Sequence, residues 1–199
     1  MLKRIFDLLL SCLILLTTLP FYPLIALAIK FDSKGPIFYK QLRVGHNCSI
    51  FNIIKFRTMV NDHCFNSAIT IKNDPRITAS GKFLRRYKID EWPTIFNVFK
   101  SDMSFVGPRP EAPKYVSLYT EEQKMVLSVK PGITDPATIA YNNEATLLSN
   151  TDDSEDMYIK KIMPSKLIIN SKYIETQTLM TDAKIIFKTI LLILKILRQ

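Results

Sequence analysis

From Leu8 to Ile29 the chain reads LLLSCLILLTTLPFYPLIALAI, 22 residues without a charged side chain. About 20 apolar residues in a helix span the hydrocarbon core of a bilayer, so this segment is predicted to lie in a membrane. A cleaved leader is the alternative, but the run is long for a leader's apolar core and lacks a small-residue cleavage site. Pro20 and Pro23 fall inside the run, and proline removes a helical donor and kinks the chain. Lys3 and Arg4 precede it, and Lys30, Lys34, Lys40 and Arg43 follow it. Basic residues mark cytoplasmic flanks, so both ends are predicted to face the cytoplasm. A helix that enters, bends at the prolines and returns meets both observations; a straight, kinked span is the alternative. Asp7, four residues after Lys3, is placed to pair with it.

The whole chain has 199 residues, enough for one domain with a core plus an appendage. The expected division is a membrane helix over 1–30 and a catalytic domain over 31–199 on the cytoplasmic face. A formal charge of +9 and a pI near 9.4 point to anionic partners: nucleic acid, an anionic membrane surface or phosphorylated substrates. Cys12, Cys48 and Cys64 are too few and scattered for a disulfide framework, and none has metal-ligand spacing with His46 or His63.

Beyond the apolar run, IFYKQLRVG and SIFNIIKFRTM are rich in β-branched and aromatic residues, and Gly45-His46-Asn47 between them predicts a hairpin. Val60 to Ser80 reads as polar and irregular, with a turn at Asp74-Pro75. GKFLRRYKI and EWPTIFNVFK each predict a short helix, and Pro113 to Val129 a longer one broken by Lys130-Pro131-Gly132. From Asp182 to Arg198, Lys184, Lys188, Lys195 and Arg198 share one narrow helical stripe beside a wide apolar face, a pattern suited to a lipid interface or a deep groove. Asp182 projects opposite that stripe; it either caps the helix or meets a cation or polar site. The fold class is therefore α+β, mostly helical, with a small β-hairpin, a re-entrant N-terminal membrane helix and amphipathic interfacial helices.

Three clusters bear candidate chemistry. Asp90-Glu91 precedes Trp92-Pro93, as at a helix start where Asp90 is the N-cap. Lys82, Arg85, Arg86, Lys88 and Arg109 surround the pair in sequence, so a carboxylate there is expected to stay ionised and to serve as nucleophile or metal ligand. Lys55 and Arg57 alternate on one strand face, where two cations either bind a pyrophosphate or simply face solvent. Pro108 and Pro110 fix the backbone around Arg109, holding its guanidinium in a preset direction.

The run DPRITASGKFLRRYKIDEWPTIFNVFKSDMSFVGPRP, with FNIIKFRTM before it and KPGIT after it, resembles the bacterial sugar transferases. These are the monotopic phosphoglycosyl transferases that begin surface-glycan and glycoprotein assembly. The likeness runs from LKRIFDLLLS to TDAKIIFKTI, and the length resembles that of the minimal catalytic form, which is expected to lack the multi-span N-terminal region of larger relatives. The resemblance implies transfer of a sugar phosphate from a UDP-sugar to undecaprenyl phosphate with release of UMP, at the cytoplasmic face of the bacterial inner membrane. It places the nucleophile at Asp90, which would carry a covalent phosphosugar, and a required Mg²⁺ on Glu91. It puts Lys55, Arg85 and Arg86 near the phosphates, Pro108, Arg109 and Pro110 near the nucleotide, and Asp182 in support of the active site. The partners implied are the UDP-sugar, undecaprenyl phosphate and the lipid bilayer, not nucleic acid; sugar, pathway and oligomeric state are left open.

Two departures from the family pattern stand out. Many members break the membrane helix at Ser-Pro, where this chain has Leu19-Pro20 and Tyr22-Pro23. After KPGIT many continue Gly-Leu-Ala-Gln, where this chain has Asp135-Pro136-Ala137-Thr138 and then IAYNNEATLL. That stretch is expected to border the sugar, with Asn142 or Asn143 in place of an arginine found in some relatives. Two rivals from other classes are a basic nucleic-acid-binding protein, opposed by the apolar run, and a non-catalytic membrane scaffold, opposed by the intact Asp-Glu pair.

Overall fold

The computed structural model describes residues 2–60, 74–149 and 153–198. Cys64, His63 and most of the predicted polar stretch after Val60 lie outside them. The chain forms two compact units: Met1–Gln41 with Ile53–Lys100, and Leu42–Asn52 with Ser101–Gln199.

In the first unit the apolar run becomes α1 (Leu2–Thr18) and α2 (Tyr22–Asp32), joined by a 3-10 turn over Leu19–Phe21. Pro20 lies in that turn, where the missing N–H interrupts the α-helical ladder. Leu16 is 76% exposed and Phe31 88%, and Leu9, Leu24 and Leu27 are exposed as well. Water does not favour so many bare apolar side chains on one segment; lipid does. The buried residues of α1 are Asp7, Ser11 and Leu15, four apart on one face. From α2, Tyr22 and Ile29 enter a core cluster that also contains Phe56 and Leu84.

The predicted hairpin is present, with β1 (Phe38–Val44) and β2 (Ile50–Phe56) bonded as a two-stranded sheet. Gly45 donates to Ser49 O at 2.7 Å across the turn, and Asn47 takes the left-handed conformation that asparagine tolerates (φ 51°). A short α3 (Ala79–Arg86) begins at the N-cap Thr78, whose side chain accepts from Gly81 N. The segment EWPTIFNVFK is a 3-10 turn over Ile89–Thr94 that runs into α4 (Ile95–Phe99), against which α1 packs.

The second unit holds a small parallel sheet that the sequence reading lacked, β3 (Ser104–Val106) beside β4 (Gly132–Thr134). The backbones meet so closely that a Cβ on Gly132 would lie 2.1 Å from Gly107 N. Glycine at both positions thus lets the chain leading into Pro108 lie flat against the KPGIT strand. The single helix expected over Pro113–Val129 is instead α5 (Pro113–Val116) and a 3-10 turn over Gln123–Ser128. Thr120 and Gln123 cap each other's backbone N–H groups at 3.3 and 3.0 Å, a local pairing that competes with helix continuation.

After β4 come α6 (Pro136–Ala140), α7 (Glu144–Ser149), α8 (Ser154–Met157), α9 (Met163–Glu175) and α10 (Leu179–Leu197). Thr178, not Asp182, caps α10, in a capping box with Thr181. The stripe of Lys184, Lys188, Lys195 and Arg198 is exposed, as are Phe187, Ile190, Leu191 and Leu194 beside it. Asp182 and Ile185 are the buried residues of the helix, and α10 packs on β3, β4 and α6. The acid opposite the basic stripe therefore faces protein.

Candidate active site

Asp90 and Glu91 lie in the first turn of the 3-10 segment, and Asp90 is not its N-cap. Lys88, two residues earlier, holds that position with a left-handed backbone (φ 57°) that turns the chain between α3 and the 3-10 segment. Ile89, Trp92 and Phe96 pack on the Tyr22–Ile29–Phe56–Leu84 cluster. The apolar face of the segment is thereby anchored on α2, β2 and α3.

Cations gather around the pair. Lys55 Nζ on β2 meets Glu91 Oε1 at 2.6 Å. Arg85 is oriented by donating from Nε to Thr58 Oγ1 at 2.8 Å, and its charge acts on Asp90, as do those of Lys55 and Lys88. Asp90 Oδ1 is buried without a hydrogen-bond partner. Burial first, and the Glu91 charge second, raise the Asp90 carboxyl above its ordinary range, against Lys55, Lys88 and Arg85. The surrounding cations therefore do not lower it below the ordinary value, because desolvation outweighs them. Arg86 points to solvent.

Arg57 is buried and turned elsewhere. Its guanidinium donates to Ser33 O at 2.7 Å and also to Lys34 O. A side chain on Gly35 would collide with it, with a Cβ 2.2 Å from Arg57 Nη1, and Gly35 also needs its φ of +129°. This geometry favours an anchor for the end of α2 over a phosphate ligand.

In the second unit, Arg109 N donates to Asp135 Oδ2 at 3.1 Å. Arg43 donates to Pro110 O at 3.3 Å, and Val44 N donates to Glu111 O at 2.9 Å. The Pro-Arg-Pro backbone is therefore held on both sides. Asp135 is 0% exposed and caps α6 through Thr138 N and Thr138 Oγ1. Its carboxylate is internal, whereas Asn142 and Asn143 are exposed. Arg109, Glu111, Tyr119, Tyr158, Lys166 and Asn170 line a recess of about 30 Å³, room for about two waters. Asp182, 3% exposed, accepts from Tyr173 OH at 2.6 Å, and Gln177 donates to that hydroxyl at 2.7 Å.

The geometry unites Lys55, Arg85, Asp90 and Glu91 in one cluster of two cations and two carboxylates. Within the same unit it also brings in Thr58, Thr94 and Asn97, which carry no sequence signal beyond being polar. A model of the family described as bacterial sugar transferase matches residues 1–196. The chain belongs to that family. It is 40% identical over 196 residues to the undecaprenyl-phosphate glucose phosphotransferase of Komagataeibacter xylinus, covering 94% of this chain and 35% of that protein. It is 49% identical over 113 residues to the exopolysaccharide production protein PSS of Rhizobium leguminosarum bv. phaseoli, 56% of each chain. It is 32% identical over 210 residues to the undecaprenyl-phosphate galactose phosphotransferase of Salmonella typhimurium, 98% of this chain and 40% of that one. This sugar transferase thus spans between about a third and just over half of those relatives' lengths.

Among the described residues no three acidic, histidine or cysteine side chains converge as a metal cage. Mg²⁺ does not require one, since it is commonly held by one or two carboxylates together with substrate phosphates. Glu91, and the unpartnered Oδ1 of Asp90 beside it, fit that pattern.

Proposed function

We propose that this sugar transferase moves a sugar 1-phosphate from a UDP-sugar to undecaprenyl phosphate, through a phosphosugar carried on Asp90. The observation that carries the reading is Asp90 itself, a half-buried residue with one buried, unpartnered carboxyl oxygen among Lys55, Arg85 and Lys88. In the first step an Asp90 oxygen attacks the sugar-linked phosphorus. The bond from that phosphorus to the bridging oxygen breaks, and UMP leaves with the electron pair. In the second step the acceptor's phosphate oxygen attacks the same phosphorus and the Asp90 carboxylate departs. Splitting the exchange lets one site handle two anionic substrates in turn. Lys55, Arg85 and Lys88 offset the phosphate charge. Mg²⁺ on Glu91 would add charge neutralisation at the diphosphate. The nucleotide role of Pro108, Arg109 and Pro110 and the supporting role of Asp182 rest on the family resemblance.

The reading expects UMP from purified enzyme given a UDP-sugar, in stoichiometric amount without acceptor and catalytically with undecaprenyl phosphate. Absence of UMP across a panel of UDP-sugars with acceptor present would overturn it. The relatives' names include both glucose and galactose, so the panel spans both.

We further propose that α1 and α2 enter and leave the bilayer on its cytoplasmic face. Support comes from the two ends of the segment, both bonded within the first unit. Arg4 donates to Val98 O at 2.6 Å and Phe99 O at 2.8 Å. Asp32 accepts from Ser80 N at 2.6 Å, next to the Arg57 anchor on Ser33 and Lys34. A straight span of 31 residues would separate its ends by about 46 Å. Single cysteines introduced at Lys3 and Lys34 should react with a membrane-impermeant maleimide from the same side. Reaction from opposite sides would rule out re-entry.

A further inference from the structure

We propose that Thr94 and Asn97 are positioning residues that clamp strand β2 to the acid-bearing segment and so hold Lys55 in register against Glu91. Its consequence for turnover rests on the transferase reading; the clamp itself does not.

Residue Ile54 presents its N–H and its C=O on the same side of β2, as any strand residue does. Both groups are taken by side chains and not by another strand. Asn97 Oδ1 accepts from Ile54 N at 3.1 Å, and Thr94 Oγ1 donates to Ile54 O at 2.9 Å. Thr94 is 2% exposed and Asn97 1%. They are three residues apart, so one helical face presents both. Together they imitate the bonding of a neighbouring strand, with donor and acceptor in matched positions. Both side chains are buried and the two bonds partly so, so a lost partner is poorly replaced by water.

The clamp lies one residue from Lys55 along the strand and three residues from Glu91 along the 3-10 turn. Those two side chains meet at 2.6 Å. A slip of β2 by one residue would send Lys55 to the opposite face, and a smaller shift would lengthen its contact with Glu91. Thr94 is the N-cap residue of α4 yet makes no side-chain capping bond there, and its hydroxyl is spent on Ile54 O instead.

The test compares Thr94→Val, which keeps the shape and loses the hydroxyl, with Thr94→Ser, which keeps the hydroxyl. Brief amine acetylation of the full-length protein in detergent, read by mass spectrometry, reports the freedom of Lys55. Lys55 in Thr94→Val should label about three- to tenfold faster than in wild type, the range set by loss of one hydrogen bond. Thr94→Ser should match wild type, and Lys166, buried in the second unit, should label at an unchanged rate throughout. In turnover, Thr94→Val should lower kcat for UMP release about tenfold with KM for the UDP-sugar nearly unchanged. In a Lys55→Met background it should cost nothing further. Asn97→Ala should repeat the labelling pattern and serves where Thr94→Val does not accumulate. Unchanged Lys55 labelling in a folded variant, or a parallel rise at Lys55 and Lys166, would overturn the clamp. If wild-type enzyme releases no UMP, the transferase reading fails while the labelling comparison still decides the clamp.

Discussion

Replacing Asp90 by asparagine should lower turnover by about 10⁴-fold or more, as loss of a covalent nucleophile does, and should also raise the melting temperature at neutral pH. The two effects have one origin. Asp90 is held above the ordinary carboxylate range by burial and by Glu91, against the pull of Lys55, Lys88 and Arg85. A carboxyl that binds its proton more tightly folded than unfolded contributes stability that is complete below the unfolded pKa. That contribution is lost as pH rises through the folded pKa. Asparagine is neutral at every pH, so its advantage in melting temperature should grow from acid to neutral conditions. Melts in detergent across that range, beside UMP release, measure both. Substantial turnover in folded Asp90→Asn would remove Asp90 as the nucleophile. A lower melting temperature at neutral pH would show that its charge is well compensated. The same shift places the acid limb of the wild-type rate profile above that of an ordinary aspartate, since attack requires the ionised form.

What the sequence made legible here depended on whether a signal was periodic, covalent or tertiary. The hairpin followed from β-branched runs around Gly45-His46-Asn47, and it lies where those runs predict. The apolar run followed from length alone, and its 3-10 interruption falls at Pro20. Asp90 and Glu91 were visible as a pair, but the balance on Asp90 was not, because desolvation depends on packing by residues far away in sequence. Arg57 looked equivalent to Lys55 on an alternating strand. In the fold Lys55 reaches Glu91, whereas Arg57 meets the carbonyls at the end of α2, a partner no strand pattern discloses. Asp135 invited a sugar-facing reading as a departure from the family pattern, yet it is an N-cap that also receives Arg109 N. The three-residue strands β3 and β4 were too short to register, although the glycines Gly107 and Gly132 were the trace of their close approach.

Glu91→Gln should reduce turnover by about 10²- to 10³-fold, the loss typical of one preorganised electrostatic group, and should flatten the response to added Mg²⁺. The amide can still accept a hydrogen bond from Lys55, so the 2.6 Å contact survives in form while losing its charge. Two opposing consequences follow for Asp90. Removing the like charge lowers the Asp90 pKa, because Glu91 is the second-largest cause raising it after burial. The acid limb of the residual activity should therefore move to lower pH than in wild type. Yet the metal, if Glu91 holds it, becomes weakly bound, so the plateau falls although Asp90 ionises at lower pH. The measurement is UMP release as a function of Mg²⁺ at several pH values. Unchanged metal dependence would remove Glu91 as a ligand. A limb that stays in place would mean the Glu91 charge reaches Asp90 too weakly to matter, leaving burial to work against Lys55, Lys88 and Arg85 without it.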